Sequence, residues 1–414
     1  MTASSRSLSS RRTYAVWELT LACNLACSHC GSRAGMPRND EMSTAEALDV
    51  VDQLAEVGIE EVTLIGGEAF LRPDWLQIAA AITRRGMRCT VTTGGYKLSA
   101  DMAKGMRDAG IQQSSISIDG METTHDDLRG RRGSWQSCLR TAERLHDAGV
   151  SVACNTQVNR RTTVELPELY EVLLDAGVVA WQLQLTVPMG RAADQPELLF
   201  QPSELLVVFA VLERIARRAA ADGIFVYTAN NLGYHGPDER LLRSPDGTTA
   251  WQGCQAGVTA LGIEADGTIK GCPSLPTADY AGGNVRHRRI NEIISSAPEL
   301  TFNISDGRSS PRDKLWGFCQ TCEYADTCRG GCSWTAHTVF GRRGNNPYCH
   351  HRALNMERNG RRERLIPIES APGDPFDHGR FTLVVEPSDT QWPAEDAHRL
   401  TAADVRWPKG WEAN

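Results

Sequence analysis

Cys23, Cys27 and Cys30 fall within eight residues, spaced Cys-x3-Cys-x2-Cys, directly after the strand-like segment YAVWELTL. Three thiolates on one short loop can hold three corners of a cubane iron–sulfur cluster and leave the fourth iron open to a ligand that is not protein. A structural zinc site uses the same donors but normally closes with a fourth. The best candidate for that place is His29, wedged between two of the cysteines. A second set comes much later: Cys254 and Cys272, then Cys319-x2-Cys322-x5-Cys328-x3-Cys332, then Cys349. Of thirteen cysteines only Cys89, Cys138 and Cys154 stand alone. The first and last lie on strand patterns and the middle one on a helical pattern, where a core role is expected. So many cysteines in a reducing compartment mean metal or catalysis more often than disulfides.

The elements that must position these residues are readable from periodicity. YAVWELTL, EVTLIG, RCTVTT, QSSISID, VSVACNTQV and VVAWQLQL are short, β-branched and apolar, and read as buried strands. Amphipathic helical stretches separate them; STAEALDVVDQLAEVG opens on the cap candidates Ser43-Thr44 and ends at Gly58. Six strand–helix units imply parallel strands joined by right-handed crossovers. Six are too few for the closed eight-stranded barrel, so the expectation is a partial (β/α)6 TIM-like barrel over 14–235. Residues 203–222 form its sixth helix, and the chemistry sits at the C-terminal ends of the strands. Residues 1–13 read as a disordered arm: they carry a twin arginine but no apolar stretch of an export signal. Residues 250–355 form a small cysteine-rich domain with a hairpin turn at Asp266-Gly267. The tail, 356–414, holds Trp392, Trp407 and Trp411 with little periodicity. It reads either as disorder or as a cover over the site or a partner dock. A net charge of −7 without strong charge blocks gives no nucleic-acid surface, and no apolar run approaches the roughly 18 residues of a membrane span. The expected compartment is the cytoplasm.

The cysteine motif after strand one resembles the signature of the radical S-adenosylmethionine (SAM) superfamily, whose open iron binds the amino and carboxylate groups of SAM. The resemblance implies a [4Fe–4S] cluster on Cys23, Cys27 and Cys30, with His29 in the place of an aromatic residue that packs near the adenine. Gly66-Gly67-Glu68, at the next strand end, resembles the family's GGE motif. Backbone approach to the ligand explains the glycines, and Glu68 is implied to accept from the SAM ammonium. Ser117 falls where relatives place a hydroxyl on the SAM ribose, and Arg140 aligns with an arginine that pairs with the SAM carboxylate. Thr92-Thr93 are further candidates for the pocket.

The later cysteines resemble, at all seven positions, the SPASM extension of peptide and protein maturases. That implies two auxiliary iron–sulfur clusters: one on Cys319, Cys322, Cys328 and Cys349, the other on Cys254, Cys272 and Cys332. The latter lacks a fourth cysteine, since Val258-Thr259-Ala260-Leu261 stands where some relatives carry one. The implied chemistry is hydrogen-atom abstraction by a 5′-deoxyadenosyl radical, with an auxiliary cluster to take the electron that an oxidative outcome releases. The implied substrate is a ribosomally made precursor peptide, and the expected product a carbon–carbon or thioether side-chain crosslink. Pro273-Ser274 replaces the Asp that follows the corresponding cysteine in formylglycine-forming relatives. About 14 residues before the first strand leave no room for a leader-binding module, so a separate leader-peptide recognition protein, or a grip by the cysteine-rich region and tail, is expected. An electron donor such as flavodoxin or ferredoxin is expected too. The alternatives are a peptide epimerase, which needs a hydrogen donor such as one of the lone thiols, a small-molecule oxidase, and an iron–sulfur electron carrier or redox sensor. Arg191, Asp119, Tyr227 and His235 are candidate cavity residues, with no general base assigned. His350 and His351 are placed to pack around a cluster.

Overall fold

The six predicted strands form as β1 (Tyr14–Glu18), β2 (Glu61–Ile65), β3 (Arg88–Thr93), β4 (Gln113–Ser117), β5 (Ser151–Val158) and β6 (Ala180–Leu185), paired in parallel in chain order. The computed structural model describes residues 12–244, 246–304, 310–396 and 399–411. The arm expected over 1–13 therefore lies outside the described residues except for Arg12 and Thr13. Those two are anchored: Arg12 is buried, and the Thr13 N–H donates to the Thr259 carbonyl at 3.0 Å.

Two features enlarge the expected barrel. A seventh parallel strand, β7 (Phe225–Thr228), follows the helix Leu205–Asp222 and pairs with β6. Its FVYT alternation is too short to stand out by periodicity. On the other edge, β8 (Ala260–Ile263) pairs in parallel with β1, and β9 (Thr268–Lys270) and β10 (Ala281–Asn284) extend it as antiparallel strands. The turn between β8 and β9 is at Asp266-Gly267, as expected. The result is one ten-stranded sheet in the order β10-β9-β8-β1-β2-β3-β4-β5-β6-β7. It is a partial barrel, because β10 and β7 do not meet. The start of the cysteine-rich region thus belongs to the same sheet as the cysteine loop after β1.

The helices Thr44–Glu56, Trp75–Arg84, Ala100–Asp108, Ser134–Asp147 and Leu166–Asp175 pack outside the strands. Ser43 caps the first with a full capping box to Glu46. Trp17, Leu64, Val91, Ile116, Val152 and Trp181 join the inner faces of those helices in one buried apolar core. Cys89, Cys138 and Cys154 lie in that core, each about 1% exposed or less, as the lone-cysteine pattern implies. The cysteine-rich region has only a small core of its own, built from Tyr234, Trp251, Leu275, Tyr280 and the cysteines themselves. A core that small asks for staples of another kind.

The tail is folded onto the molecule. After the helix His350–Arg358, strands β11 (Arg361–Glu369) and β12 (Arg380–Pro387) form an antiparallel hairpin. Arg362 lies over Trp392 and Arg214 over Trp407, at 3.6 and 4.0 Å from the ring centres. Trp411 packs edge-on against Tyr170 and donates to Glu171 Oε1 at 2.6 Å. The hairpin loop 370–379 returns to the barrel mouth, where the Gly190 N–H donates to the Asp377 carbonyl at 2.8 Å. Arg33, three residues past Cys30, spans Asp377 (2.7 Å) and Asp194 (2.6 Å).

Candidate active site

The loop that follows β1 carries Cys23, Cys27 and Cys30, and its shape is fixed by groups other than the thiols. Glu41 Oε1 accepts from Thr20 Oγ1, Leu21 N–H and Arg38 N–H at 2.9, 2.9 and 3.0 Å. Arg191 donates to the carbonyls of Cys27 (2.6 Å) and Ala34 (3.1 Å). Its own N–H reaches the Cys30 carbonyl at 2.9 Å. The N–H groups of Ala26 and Ser28 donate to Arg129 and Leu128 at the end of the helix Glu122–Arg129.

Beside this loop lies a cavity of about 390 Å³ at the C-terminal ends of the strands. Cys23, Cys27 and Cys30 line it together with His29, Gly66, Gly67, Thr92, Thr93 and Ser117. Gly66 and Gly67 are where the second strand end presses on the cysteine loop. A Cβ on Gly66 would stand 2.4 Å from the Thr20 carbonyl oxygen, and one on Gly67 would stand 2.3 Å from that of Ala22. Both clashes are with backbone, so they cannot be relieved by a rotamer change. Gly67→Ala is therefore expected to lower stability by about 1–3 kcal/mol and to cost the protein one cluster's iron. Gly35→Ala, in the same loop with open space around it, is expected to do neither. Denaturation curves and iron counts of the two variants check this.

Glu68 follows at the same turn and is 1% exposed. One carboxylate oxygen accepts from Thr93 Oγ1 (2.9 Å) and Gly94 N–H (2.8 Å), while Oε1 is buried with no hydrogen-bond partner. Burial pushes its pKa up to about 7 against those hydrogen bonds. A buried acceptor left unpaired in this way suits an ammonium ligand.

His29 Nε2 is 2.9 Å from Asp119 Oδ2, and Arg129 Nη2 is 2.6 Å from the same oxygen. The Gln157 N–H donates to Asp119 Oδ1 at 2.7 Å, and Arg129 Nη1 donates to Cys27 Sγ at 3.8 Å. His29 Nδ1 is buried without a partner. Arg140 is not part of this set: it is exposed on the outer face of the helix Ser134–Asp147 and does not line the cavity. The buried arginine of the site is Arg129. Tyr227 stacks on Phe225 outside the cavity lining, and His235 stacks on Tyr324 in the cysteine-rich region.

Sequence inspection also missed the far wall, made of Asn155 and Gln157 from β5 and Gln182 and Gln184 from β6. They are opposite pairs in the parallel register, Asn155↔Gln182 and Gln157↔Gln184. The signal was there: NTQ and QLQ place an amide at every second position of otherwise apolar strands, which aims them all at one face.

In the cysteine-rich region, Cys319, Cys322, Cys328 and Cys349 line one small cavity with His235, Tyr324 and His351. Cys254 and Cys332 lie in the small core, with Cys272 packed against it. Pro273 and Ser274, which follow Cys272, line the large cavity. Burial pushes the thiols of Cys23 and Cys328 up to about 12 and that of Cys272 up to about 11. None would ionise near neutrality without a metal to take the proton's place. Free thiols grouped as three, four and three, together with the unpaired Glu68 Oε1, fit iron–sulfur clusters and SAM.

Comparison with known proteins agrees. Residues 17–173 match the model of the Radical SAM superfamily. The AdoMet-dependent heme synthase of Nitratidesulfovibrio vulgaris is 30% identical over 333 residues, covering 78% of this chain and 88% of that protein. The Mycofactocin maturase MftC of Mycobacterium ulcerans is 28% identical, covering 76% of this chain and 81% of that one. Streptococcus suis SuiB bound to precursor peptide SuiA has the same fold, with a TM-score of 0.63 and 14% identity over 82% of this chain and 75% of that one. No helix among the described residues is long and apolar enough to cross a membrane. The chain belongs to the radical SAM superfamily and is a radical SAM enzyme that uses SAM and a [4Fe–4S] cluster.

Proposed function

We propose that this enzyme is a maturase that acts on a ribosomally made precursor peptide and installs a side-chain crosslink, carbon–carbon or thioether. Cys23, Cys27 and Cys30 would hold the SAM-binding cluster, with His29, Gly66, Gly67, Glu68 and Ser117 around SAM. When bound, cluster and SAM supply one electron and an agent that abstracts a hydrogen atom. The chain's own residues hold the substrate: the observation that carries the reading is the neutral hydrogen-bonding wall of Asn155, Gln157, Gln182 and Gln184. Amide side chains both donate and accept, which suits a peptide backbone. A crosslink also leaves one electron to dispose of, and the neighbourhood of Cys272 at the cavity wall is where such chemistry wants a redox site.

Action on an iron tetrapyrrole is the alternative, favoured by the likeness to the AdoMet-dependent heme synthase. The wall argues against it, because the arginines in the lining are already engaged. Arg129 pairs with Asp119, and Arg191 with the carbonyls of Cys27 and Ala34, which leaves neither arginine of the described lining free for carboxylate side arms. Epimerisation is less favoured, because Cys89, Cys138 and Cys154 are buried and none of them lines the cavity. The test is anaerobic turnover of the cluster-loaded enzyme, with a low-potential one-electron donor, on precursor peptides and on an iron tetrapyrrole in parallel. A peptide product lighter by two hydrogens supports the crosslink. Solvent deuterium incorporated without loss of mass would mean epimerisation, and turnover of the tetrapyrrole alone would sink the peptide reading.

A further inference from the structure

Asp279, His337 and His378 come from three separate segments: the helix Thr277–Tyr280, the helix Ser333–Phe340 that begins right after Cys332, and the loop between β11 and β12. Their donor atoms all lie within 4.8 Å of one another. His337 is nearly buried, His378 half-buried and Asp279 largely exposed. The two imidazoles meet at an 87° interplanar angle with centres 5.0 Å apart, so neither stacks on the other.

The hydrogen bonds around the two histidines determine which ring nitrogen of each is turned toward the group. His378 Nδ1 is 2.7 Å from the Gly379 carbonyl oxygen. A carbonyl only accepts, so Nδ1 carries the proton and Nε2 is left with its lone pair. His337 Nδ1 is 2.9 Å from the Tyr280 hydroxyl, which occupies that nitrogen and leaves Nε2 facing Asp279. An imidazole whose far nitrogen is tied to an oxygen is the usual support behind a metal-ligating histidine. His337 Nε2 and Asp279 Oδ2 are 3.3 Å apart. That is longer than the about 2.7–2.9 Å of a charge-assisted hydrogen bond. It matches the edge of a tetrahedron whose metal–ligand bonds are about 2.0–2.1 Å.

We propose that Asp279, His337 and His378 form a binding site for a divalent first-row metal ion of the zinc class, separate from the cysteine sites. Two imidazoles and one carboxylate with an open fourth position make a donor set that suits zinc and needs no thiolate. The ion clasps the tail to the cysteine-rich region. His378 pairs with Met189 at the barrel mouth, and its neighbour Asp377 holds Arg33 beside the Cys30 loop. Bound metal therefore fixes the hairpin loop at the rim of the large cavity.

The test uses the full-length protein with its iron–sulfur clusters loaded, so that none of the ten grouped cysteines is vacant, and freed of loose metal by dialysis against a chelator. Zinc(II) is then titrated against a chromophoric competitor. One zinc per chain is expected beyond the iron. His378→Ala and Asp279→Asn are each expected to weaken it at least tenfold, with unchanged iron content. Both side chains are accessible enough for the variants to fold. Cobalt(II) in place of zinc is expected to show d–d absorption without a thiolate charge-transfer band. Absence of tight zinc in the wild type, equal binding by both variants, or a thiolate band would each overturn the site.

Discussion

The Cys23/Cys27/Cys30→Ala variant is expected to make no detectable 5′-deoxyadenosine from SAM under dithionite, where the wild type does. Its iron should fall by about four atoms from about twelve, taking each cysteine group as a cubane. The same protein should stay folded. Glu41, Arg191 and the end of the helix Glu122–Arg129 hold the loop through backbone groups, and none of those contacts uses a sulfur. Loss of activity with an intact fold separates a catalytic cluster from a structural one. The auxiliary irons should remain, because Cys319, Cys322, Cys328 and Cys349 close a cavity of their own. Anaerobic turnover read by mass spectrometry, iron analysis and a melting curve on both proteins check all three points. Deoxyadenosine made by the variant would remove the cysteine loop from the chemistry. Loss of all iron would show that the groups do not assemble independently.

What was legible from the amino acids follows from what each signal depends on. The spacing of Cys23, Cys27 and Cys30 was legible because the three sit on one short loop, so chain distance stands in for spatial distance. The same holds for Gly66-Gly67-Glu68, where the backbone has to approach another backbone. The grouping of Cys254 and Cys272 with Cys332 rests on the resemblance instead. The parallel core was legible because strands and helices alternate with clean endings. Arg129 was not, because the helix that carries it is only eight residues long and its LRG ending offers no periodicity. Arg140 looked equivalent on the next helix, yet its neighbours Ser137, Cys138 and Thr141 take the inward face and turn it to solvent. The tail escaped because its anchors are tertiary. Trp392, Trp407 and Trp411 find arginines and a tyrosine from distant parts of the chain, and no local pattern encodes that.

Asp119→Asn is expected to lower unfolding free energy by about 3–5 kcal/mol, the range for removing one partner of a buried ion pair. Asp119 is wholly buried, and Arg129 and His29 meet on one of its oxygens. Burial alone would push its carboxyl up, but Arg129 and then His29 outweigh this and hold it well below the usual carboxylate range. A depressed carboxyl contributes stability that is present above its unfolded value near 4 and is lost only as pH falls through the lower folded value. The titration of Asp119 itself should therefore add no slope to the variant's deficit between pH 5 and 8. The source of the loss is Arg129, left as an uncompensated buried cation 3.8 Å from Cys27 Sγ. Asp119→Asn combined with Arg129→Met should accordingly recover part of the deficit, giving a coupling energy that a double-mutant cycle measures. His125 sets a different slope in the wild type. Burial pushes its pKa down to about 3, and it accepts the Asp119 N–H at 3.0 Å in neutral form. Below about 6.5 the unfolded chain takes up a proton that the folded chain refuses. Stability should then fall by up to about 1.4 kcal/mol per pH unit as pH drops from 6.5 towards 3. Denaturation of the cluster-loaded protein at several pH values reads both effects. A variant as stable as the wild type at pH 7 would mean that the Asp119–Arg129 pair does not hold the cysteine loop against the barrel.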